Sequence, residues 1–467
     1  MIYIHFPFCK SFCTYCGFYS VRERDKIGKY TESLLREIDL RKAFLCQCSR
    51  PSTLYIGGGT PSLWPVEQLE EVVRAISAVL QGGTASDYVN FSGPSGSTIS
   101  GDAAGIFPFA EFTMEVNPDD VTEEYALALR RLGVNRVSMG VQSFCDRSLR
   151  WMARRHGAVE AVEAFRVLRS AGFGNISLDL IFGYDPGQQD AADSADGNVL
   201  AGHPCGSDIS GRGKAGQLHG SGTADGSRAG GAHSSSDEDL MRLWDNDLET
   251  IMRLRPEHIS AYQMGLDEGS VLGEMASSGR YLEPSDELCA AQYSLLQRRL
   301  ASAGYVQYEV SNFSLPGRRA VHNSGYWDRS PYIGLGPGAH SFDGDRRRSW
   351  NVPDVDRYIA AFGDSAALPP VASGSSGDSG ASGSFGFLGL PSVASWEVLT
   401  GEDILTETVM LGLRTADGLP LLRLPRFMQT SIDRLLSTGS LILRDGRLRI
   451  PPDRLFISDS IIRELLP

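Results

Sequence analysis

The sequence predicts an α/β protein: a partial, open (β/α)6 barrel with a small C-terminal helical, winged-helix-like domain. Three observations predict it. Short apolar runs alternate with helical periods through residues 1–265, a cysteine-rich run follows the first apolar run directly, and the pattern changes character after about residue 352.

The apolar runs 2–5, 53–56, 112–116, 136–140, 176–181 and 258–262 each read as a strand of a buried parallel sheet. Helical periods lie between them. Tyr30, Leu34, Leu35 and Ile38 form one apolar face, Leu69, Val72, Val73 and Ile76 a second, and Val162, Phe165 and Leu168 a third, each with members three or four residues apart. Six βα repeats with right-handed crossovers curl into an open barrel whose loops after the strand C-termini share one rim. Chemistry belongs on that rim. Residues 266–360 extend the barrel. Residues 396–467 read as the C-terminal domain, with helices at 402–413 and 427–436 and a hairpin, 441–444 and 447–450, turned at Asp445-Gly446. Residues 82–104, 189–237 and 373–395 are rich in Gly, Ser, Ala and Asp and poor in large apolar side chains, so they read as disordered surface insertions.

A chain of 467 residues exceeds what one core usually serves, in keeping with a catalytic domain plus an appendage. The formal charge of -13 argues against nucleic acid as the main partner and leaves small molecules or proteins. No apolar run reaches the ~18–20 residues of a membrane span, and the chain opens on MIYIHFPF without a basic, cleavable leader. A cytoplasmic location is expected, with peripheral membrane contact left open. Of eight cysteines, Cys9, Cys13 and Cys16 fall within eight residues, which favours a metal site over a disulfide framework.

Cys9-x3-Cys13-x2-Cys16 follows the first strand, bounded by Pro7 and Gly17. Three thiolates so close can hold three corners of an iron–sulfur cubane and leave the fourth iron open to a ligand that is not protein. Zinc, completed by His5 or a later residue, is the alternative, although zinc sites more often show paired Cys-x2-Cys arms. The run Gly57-Gly58-Gly59-Thr60-Pro61 follows the second strand. It lets backbone approach the charged end of an amino acid, or it makes a tight βα turn and nothing more.

With these motifs together, the chain resembles radical S-adenosylmethionine (SAM) proteins of the anaerobic coproporphyrinogen III oxidase family. The resemblance rests on YIHFPFCKSFCTYCGFYS, LYIGGGTPSLW, EVNPDD, NRVSMGVQSF, LDLIFG, HISAYQM and HNSGYWDRSPYIGLGPGAHSF, which span nearly the whole chain outside the three insertions. It implies a [4Fe–4S] cluster on Cys9, Cys13 and Cys16, with SAM chelating the open iron and one electron cleaving it to methionine and a 5′-deoxyadenosyl radical. Carried over by motif, Tyr3 and Tyr15 line the SAM site, and Gly58, Gly59 and Thr60 bind its methionine end. Glu115, Gln142, Arg154 and Asp179, each at or just beyond a strand end, hold the ribose, adenine or carboxylate. Their chemistry suits such a ligand, with acidic acceptors and an Arg fork; a salt-bridge network on the rim is the other reading.

Within the family the dehydrogenases carry an N-terminal extension and a further cysteine two residues past the third; Phe18 stands in that place here. The haem-chaperone (HemW) type starts abruptly, has Phe there and carries His-Asn-x2-Tyr-Trp, present as His322-Asn323-Ser324-Gly325-Tyr326-Trp327. This implies haem as a further cofactor and apo-haemoproteins as acceptors, with His322 as a candidate haem ligand unless it is simply packed, and His340 as a second. The alternatives are a coproporphyrinogen III dehydrogenase and, from another class, a winged-helix regulator sensing through its cluster. His5 and His258 read as core or lumen residues, while His203, His219 and His233 fall in an insertion, and Cys46 and Cys48 read as incidental. Cys145 replaces an expected Asn, and the Phe182–Gly187 loop is one residue longer than the family pattern.

Overall fold

The computed structural model describes residues 1–47, 52–81, 109–188, 235–362 and 393–466. The six expected strands are present as β1 (Ile2–Phe6), β2 (Thr53–Gly58), β3 (Glu111–Val116), β4 (Arg136–Gln142), β5 (Ile176–Phe182) and β6 (His258–Gln263). They lie side by side in chain order and all run parallel. Three strands not expected from the sequence extend the sheet. β7 (Val306–Gln307) and β8 (Asn312–Ser314) add antiparallel pairing beyond β6, and β9 (Ile333–Leu335) pairs parallel with β1. The nine-stranded order is β7-β8-β6-β5-β4-β3-β2-β1-β9, and its two ends do not pair, so the barrel is open.

Side-chain alternation decides what the two faces of the sheet do. Along β4, Val137, Met139 and Val141 point into the main core while Arg136, Ser138 and Gly140 take the other face. β1, β3 and β5 follow suit with Ile2, Ile4 and Phe6, with Phe112, Met114 and Val116, and with Ile176, Leu178 and Leu180 in that core. The outer face is covered by helices α1 (Ile27–Leu40), α2 (Lys42–Gln47), α3 (Val66–Leu80), α4 (Glu123–Arg131), α5 (Asp146–Trp151), α6 (Ala158–Ser170) and α7 (Asp237–Leu254). The predicted stripes are largely the buried ones, except that Leu35 of α1 is only partly buried and, in α6, Phe165 and Leu168 enter the core while Val162 does not. Tyr30, Leu34 and Ile38 of α1 and Leu69, Val72, Val73 and Ile76 of α3 are all within the core. The inner face is instead polar, lined by Tyr3, Tyr55, Glu115, Ser138 and Asp179. Asp179 is not at a strand end, since it is the fourth residue of β5.

After β6 come α8 (Val271–Ser277), α9 (Asp286–Ser302), α10 (Val321–Trp327) and α11 (Val355–Ala361). β10 (His340–Phe342), β11 (Arg347–Asn351) and β12 (Val393–Val398) form a separate antiparallel sheet. The tail holds α12 (Gly401–Leu413), β13 (Leu419–Pro420), α13 (Gln429–Ser437), the hairpin β14 (Ile442–Arg444) with β15 (Arg447–Arg449), and α14 (Ser458–Leu465). α12 starts on a capping box, with Thr400 accepting from Asp403 N and the Asp403 side chain accepting from Thr400 N. The three expected insertions lie outside the described residues except for 235–237 and 393–395, where Asp237 opens α7 and Val393 opens β12. No helix of the described residues is long and apolar enough to cross a membrane.

Candidate functional site

Cys9, Cys13 and Cys16 lie on the loop that leaves β1 at the C-terminal edge of the sheet. Short backbone bonds brace this loop. Cys9 N donates to Val21 O (2.8 Å), Thr14 N to Met152 O (3.3 Å) and Leu272 N to Thr14 O (2.8 Å). The glycine turn after β2 packs directly on it, with Gly59 N donating to Phe6 O (2.7 Å) and Thr60 N to Phe8 O (2.8 Å). A Cβ on Gly59 would stand 2.7 Å from Phe8 O and 3.0 Å from Cys9 Sγ, and Gly58, at φ +112, has the His5 ring 2.7 Å from where its Cβ would be. These glycines are there because backbone must touch backbone beside the first cysteine.

Side chains from four loops close a hydrogen-bonded ring around the cysteines. Thr60 Oγ1 donates to Cys9 Sγ (3.5 Å), Asn117 Nδ2 to Thr60 Oγ1 (3.3 Å), Arg154 Nη2 to Asn117 Oδ1 (2.9 Å) and Arg154 Nη1 to Cys13 Sγ (3.3 Å). Arg154 Nη2 also donates to Gly140 O (2.6 Å). Gln142 ends β4 at φ 69, on a bulge that brings its amide to the same rim. Glu115 accepts from Tyr55 OH (2.6 Å) and from Gly58 N (3.1 Å), which ties the carboxylate to the glycine turn. Tyr15 stands against Cys13, and burial followed by that neighbour holds its phenol well above the usual range. Asp179 and Tyr3 sit deeper. Asp179 accepts from Ser138 Oγ (3.3 Å) and Ser177 Oγ (3.4 Å), and Tyr3 OH is 3.1 Å from His5 Nδ1. Sequence reasoning missed Asn117 and Tyr55, although both lie within the quoted runs EVNPDD and LYIGGGTPSLW.

The electrostatics suit a cationic occupant beside soft sulfur. Burial raises the Cys9 thiol, and burial with Cys13 nearby pushes Cys16 up to about 12, so neither gives up its proton without a metal to receive the thiolate. Among the described residues no three His, Cys, Asp or Glu side chains converge on one point as a single ion needs. Ligands of a cubane each hold a different iron corner and need no such convergence. The donors fit that group: three thiols, a glycine cradle against Cys9 and an Arg on Cys13. Burial raises Asp179 and pushes Glu115 up to about 7.

His322 is placed apart from this rim. It is 1% exposed, with Nδ1 2.8 Å from Thr53 Oγ1 and Nε2 3.0 Å from Tyr326 OH, and its ring lies 5.1 Å from that of Tyr55. Both nitrogens are engaged within the protein, so the expectation of an imidazole open to haem gives way to a packed histidine. His340 lies on β10 with its ring stacked on Trp350 at 5.6 Å. His258 is sealed between Ser177 Oγ and Tyr308 OH, each 2.7 Å away. Cys145 occupies the N-cap position of α5 without a side-chain capping bond, and His203, His219 and His233 lie outside the described residues.

Comparison with known proteins agrees with this geometry. The Radical SAM superfamily profile matches residues 3–194, and the HemN C-terminal domain profile matches residues 399–453. The chain is 28% identical to the haem chaperone HemW of Mycobacterium tuberculosis over 469 aligned positions, covering 100% of this chain and 94% of the relative. It is also 28% identical to HemW of Bacillus subtilis, covering 95% and 90%. Among solved structures, the coproporphyrinogen III oxidase HemN of Escherichia coli matches with a TM-score of 0.65 at 17% identity, covering 100% of this chain and 89% of that one. The chain is thus similar to the radical SAM superfamily over residues 3–194, and similar along its length to proteins named haem chaperone HemW.

Proposed function

We propose that this protein is a haem chaperone of the HemW type that holds a [4Fe–4S] cluster on Cys9, Cys13 and Cys16, binds SAM beside it, and delivers haem to apo-haemoproteins in the cytoplasm. The observation that carries the reading is the ring from Cys9 through Thr60, Asn117 and Arg154 to Cys13, which fixes two cluster ligands and a guanidinium in one frame. The full-length similarity to proteins named haem chaperones, rather than to the dehydrogenase alone, supports the chaperone over the enzyme. The cluster, when bound, supplies an electron at the rim.

The remaining roles belong to the chain. With Gly59 and Thr60 N–H engaged by Phe6 and Phe8, capture of the amino acid's carboxylate falls to Arg154, and Gly58, Gly59 and Thr60 set the turn that receives it. Glu115, Gln142 and Asp179 hold hydroxyls and cationic groups, with Tyr3 and Tyr15 as walls. His322, packed between Thr53 and Tyr326, would have to give up its bond to Tyr326 to serve haem as a ligand. The test is anaerobic reconstitution followed by iron and sulfide analysis, haem titration and a coproporphyrinogen III conversion assay. Single Cys9→Ala, Cys13→Ala and Cys16→Ala variants are expected to lose most of their iron, while wild type binds haem and converts no porphyrinogen. Full iron in a cysteine variant sinks the cluster ligands, and sustained conversion replaces the chaperone by the dehydrogenase.

A further inference from the structure

Arg136 opens β4 on the inner face of the sheet, opposite Val137, Met139 and Val141 of the core. It is 1% exposed. Among the described residues its guanidinium makes no hydrogen bond and no ion pair, and Nε is left without a partner. Burying a cation in this way is costly, and replacement by an apolar residue would usually be better tolerated than an unpaired charge. The charge therefore has a use. Strand register shows where it acts: Arg136 is opposite Thr113, Ser138 opposite Glu115 and Gly140 opposite Asp179. Both carboxylates thus share Arg136's face of the sheet, nearer the rim.

The titratable groups that feel Arg136's charge are Glu115 from β3, Asp179 from β5, Tyr55 from β2, His258 from β6, Tyr308, and His322 from α10. Glu111, buried on the same face of β3 one rung below Thr113, is engaged by Val321 N (2.7 Å) and His322 N (2.9 Å). The two imidazoles are held neutral by burial between hydroxyls, and the phenols of Tyr55 and Tyr308 are neutral as well. Tyr3, Tyr262 and Tyr326, which face the carboxylates from β1, β6 and α10, are likewise neutral phenols. Arg136 is thus the cation set against this carboxylate pair from below. It engages none of their oxygens.

We propose that Arg136 is a positioning residue: its unpaired charge at the floor of the lumen keeps Glu115 and Asp179 ionised while leaving their oxygens free to grip a cationic, hydroxyl-bearing ligand from above. This rests on the SAM site proposed for the rim. A direct ion pair would neutralise the carboxylates and compete with the ligand, whereas a charge one rung below Glu115 and two below Asp179 acts through the low-dielectric interior without occupying them.

The test is SAM affinity of the anaerobically reconstituted protein from pH 6 to 9, for wild type, Arg136→Gln, Arg136→Lys and Glu115→Gln. In wild type the affinity falls as pH drops through about 7, where Glu115 takes up a proton. In Arg136→Gln that fall begins at a pH higher by up to roughly one unit, so affinity is weaker by up to about fivefold at pH 7 and recovers by pH 9. Arg136→Lys restores the wild-type profile, and Glu115→Gln flattens it. A folded Arg136→Gln with full iron content and an unmoved profile overturns the proposal. So does a loss of affinity equal at every pH, which a merely structural role would produce. If Arg136→Gln does not fold, an undiminished pH dependence in Glu115→Gln overturns it independently. Failure of wild type to bind SAM at any pH sinks the proposed SAM site itself, and this inference with it.

Discussion

At the level of single residues, chemistry and packing are separated by whether a polar atom still has a partner to find. His322 has none to find. The fold holds its pKa down at about 3, because burial and then the nearby chain amino group and Arg136 disfavour the cation. An unfolded histidine titrates near 6.5, so between pH 6.5 and 3 the unfolded chain takes a proton that the fold refuses. Stability from this site is complete above pH 6.5 and is lost as pH falls through that window. His322→Phe is expected to lower stability at pH 7.5 by about 1–3 kcal/mol, since Thr53 and Tyr326 lose a buried partner. Between pH 6 and 4 its stability should fall less steeply than that of wild type, by up to about 1.4 kcal/mol per pH unit. Urea midpoints at several pH values measure this; equal slopes would mean that the imidazole is charged in the fold. Haem affinity of the variant should stay near wild type. The cluster cysteines were legible because their chemistry lies in contiguous spacing. Asn117 was not, because an Asn in a loop is usually a turn residue and only the neighbouring loops reveal that it joins Thr60 to Arg154.

Elements were readable in proportion to their length. Strands of five to seven residues and helices such as α1 and α3 carry enough period to show, and all six long strands lie where the apolar runs put them. β7, β8, β9 and β13 have two or three residues each, too few to alternate, and they exist because the sheet edge or the tail supplies a partner. The tail hairpin is the exception among short elements, because its turn chemistry announces it. Asp445 and Gly446 both adopt positive φ, 53° and 70°, as a two-residue hairpin turn demands. Gly446→Val is therefore expected to destabilise the protein by about 1–2 kcal/mol, and Asp445→Gly to be neutral or slightly favourable. Denaturant titration checks both. A Val variant as stable as wild type would show that the turn is not held in this form.

Across the whole molecule, the first helix and the segment after β9 are locked by one buried carboxylate. Glu37 accepts from Gly336 N (2.8 Å), Tyr358 OH (2.6 Å) and Asn351 Nδ2 (2.8 Å), and it pairs with Arg41 Nε at 2.9 Å. These partners are 299 to 321 residues away along the chain, Arg41 apart. Glu37→Ala removes the buried carboxylate paired with Arg41 and bonded to three distant groups, and is expected to cost about 3–5 kcal/mol, read as a large fall in melting temperature or insoluble expression. A melt within a degree or two of wild type would show that the segment is held by its apolar contacts. Short-range regularities, period-two and 3.6-residue alternation, cysteine and glycine spacing and turn chemistry, were enough to set the element order, the open parallel barrel and the rim that carries the cysteines, because each depends on neighbours within a few positions. The placing of Asp179 in mid-strand, the sealing of His322, the link through Asn117 and the solitary charge of Arg136 came only with the folded chain, because each depends on which distant side chains share one face of the sheet, and burial there sets both hydrogen bonding and charge.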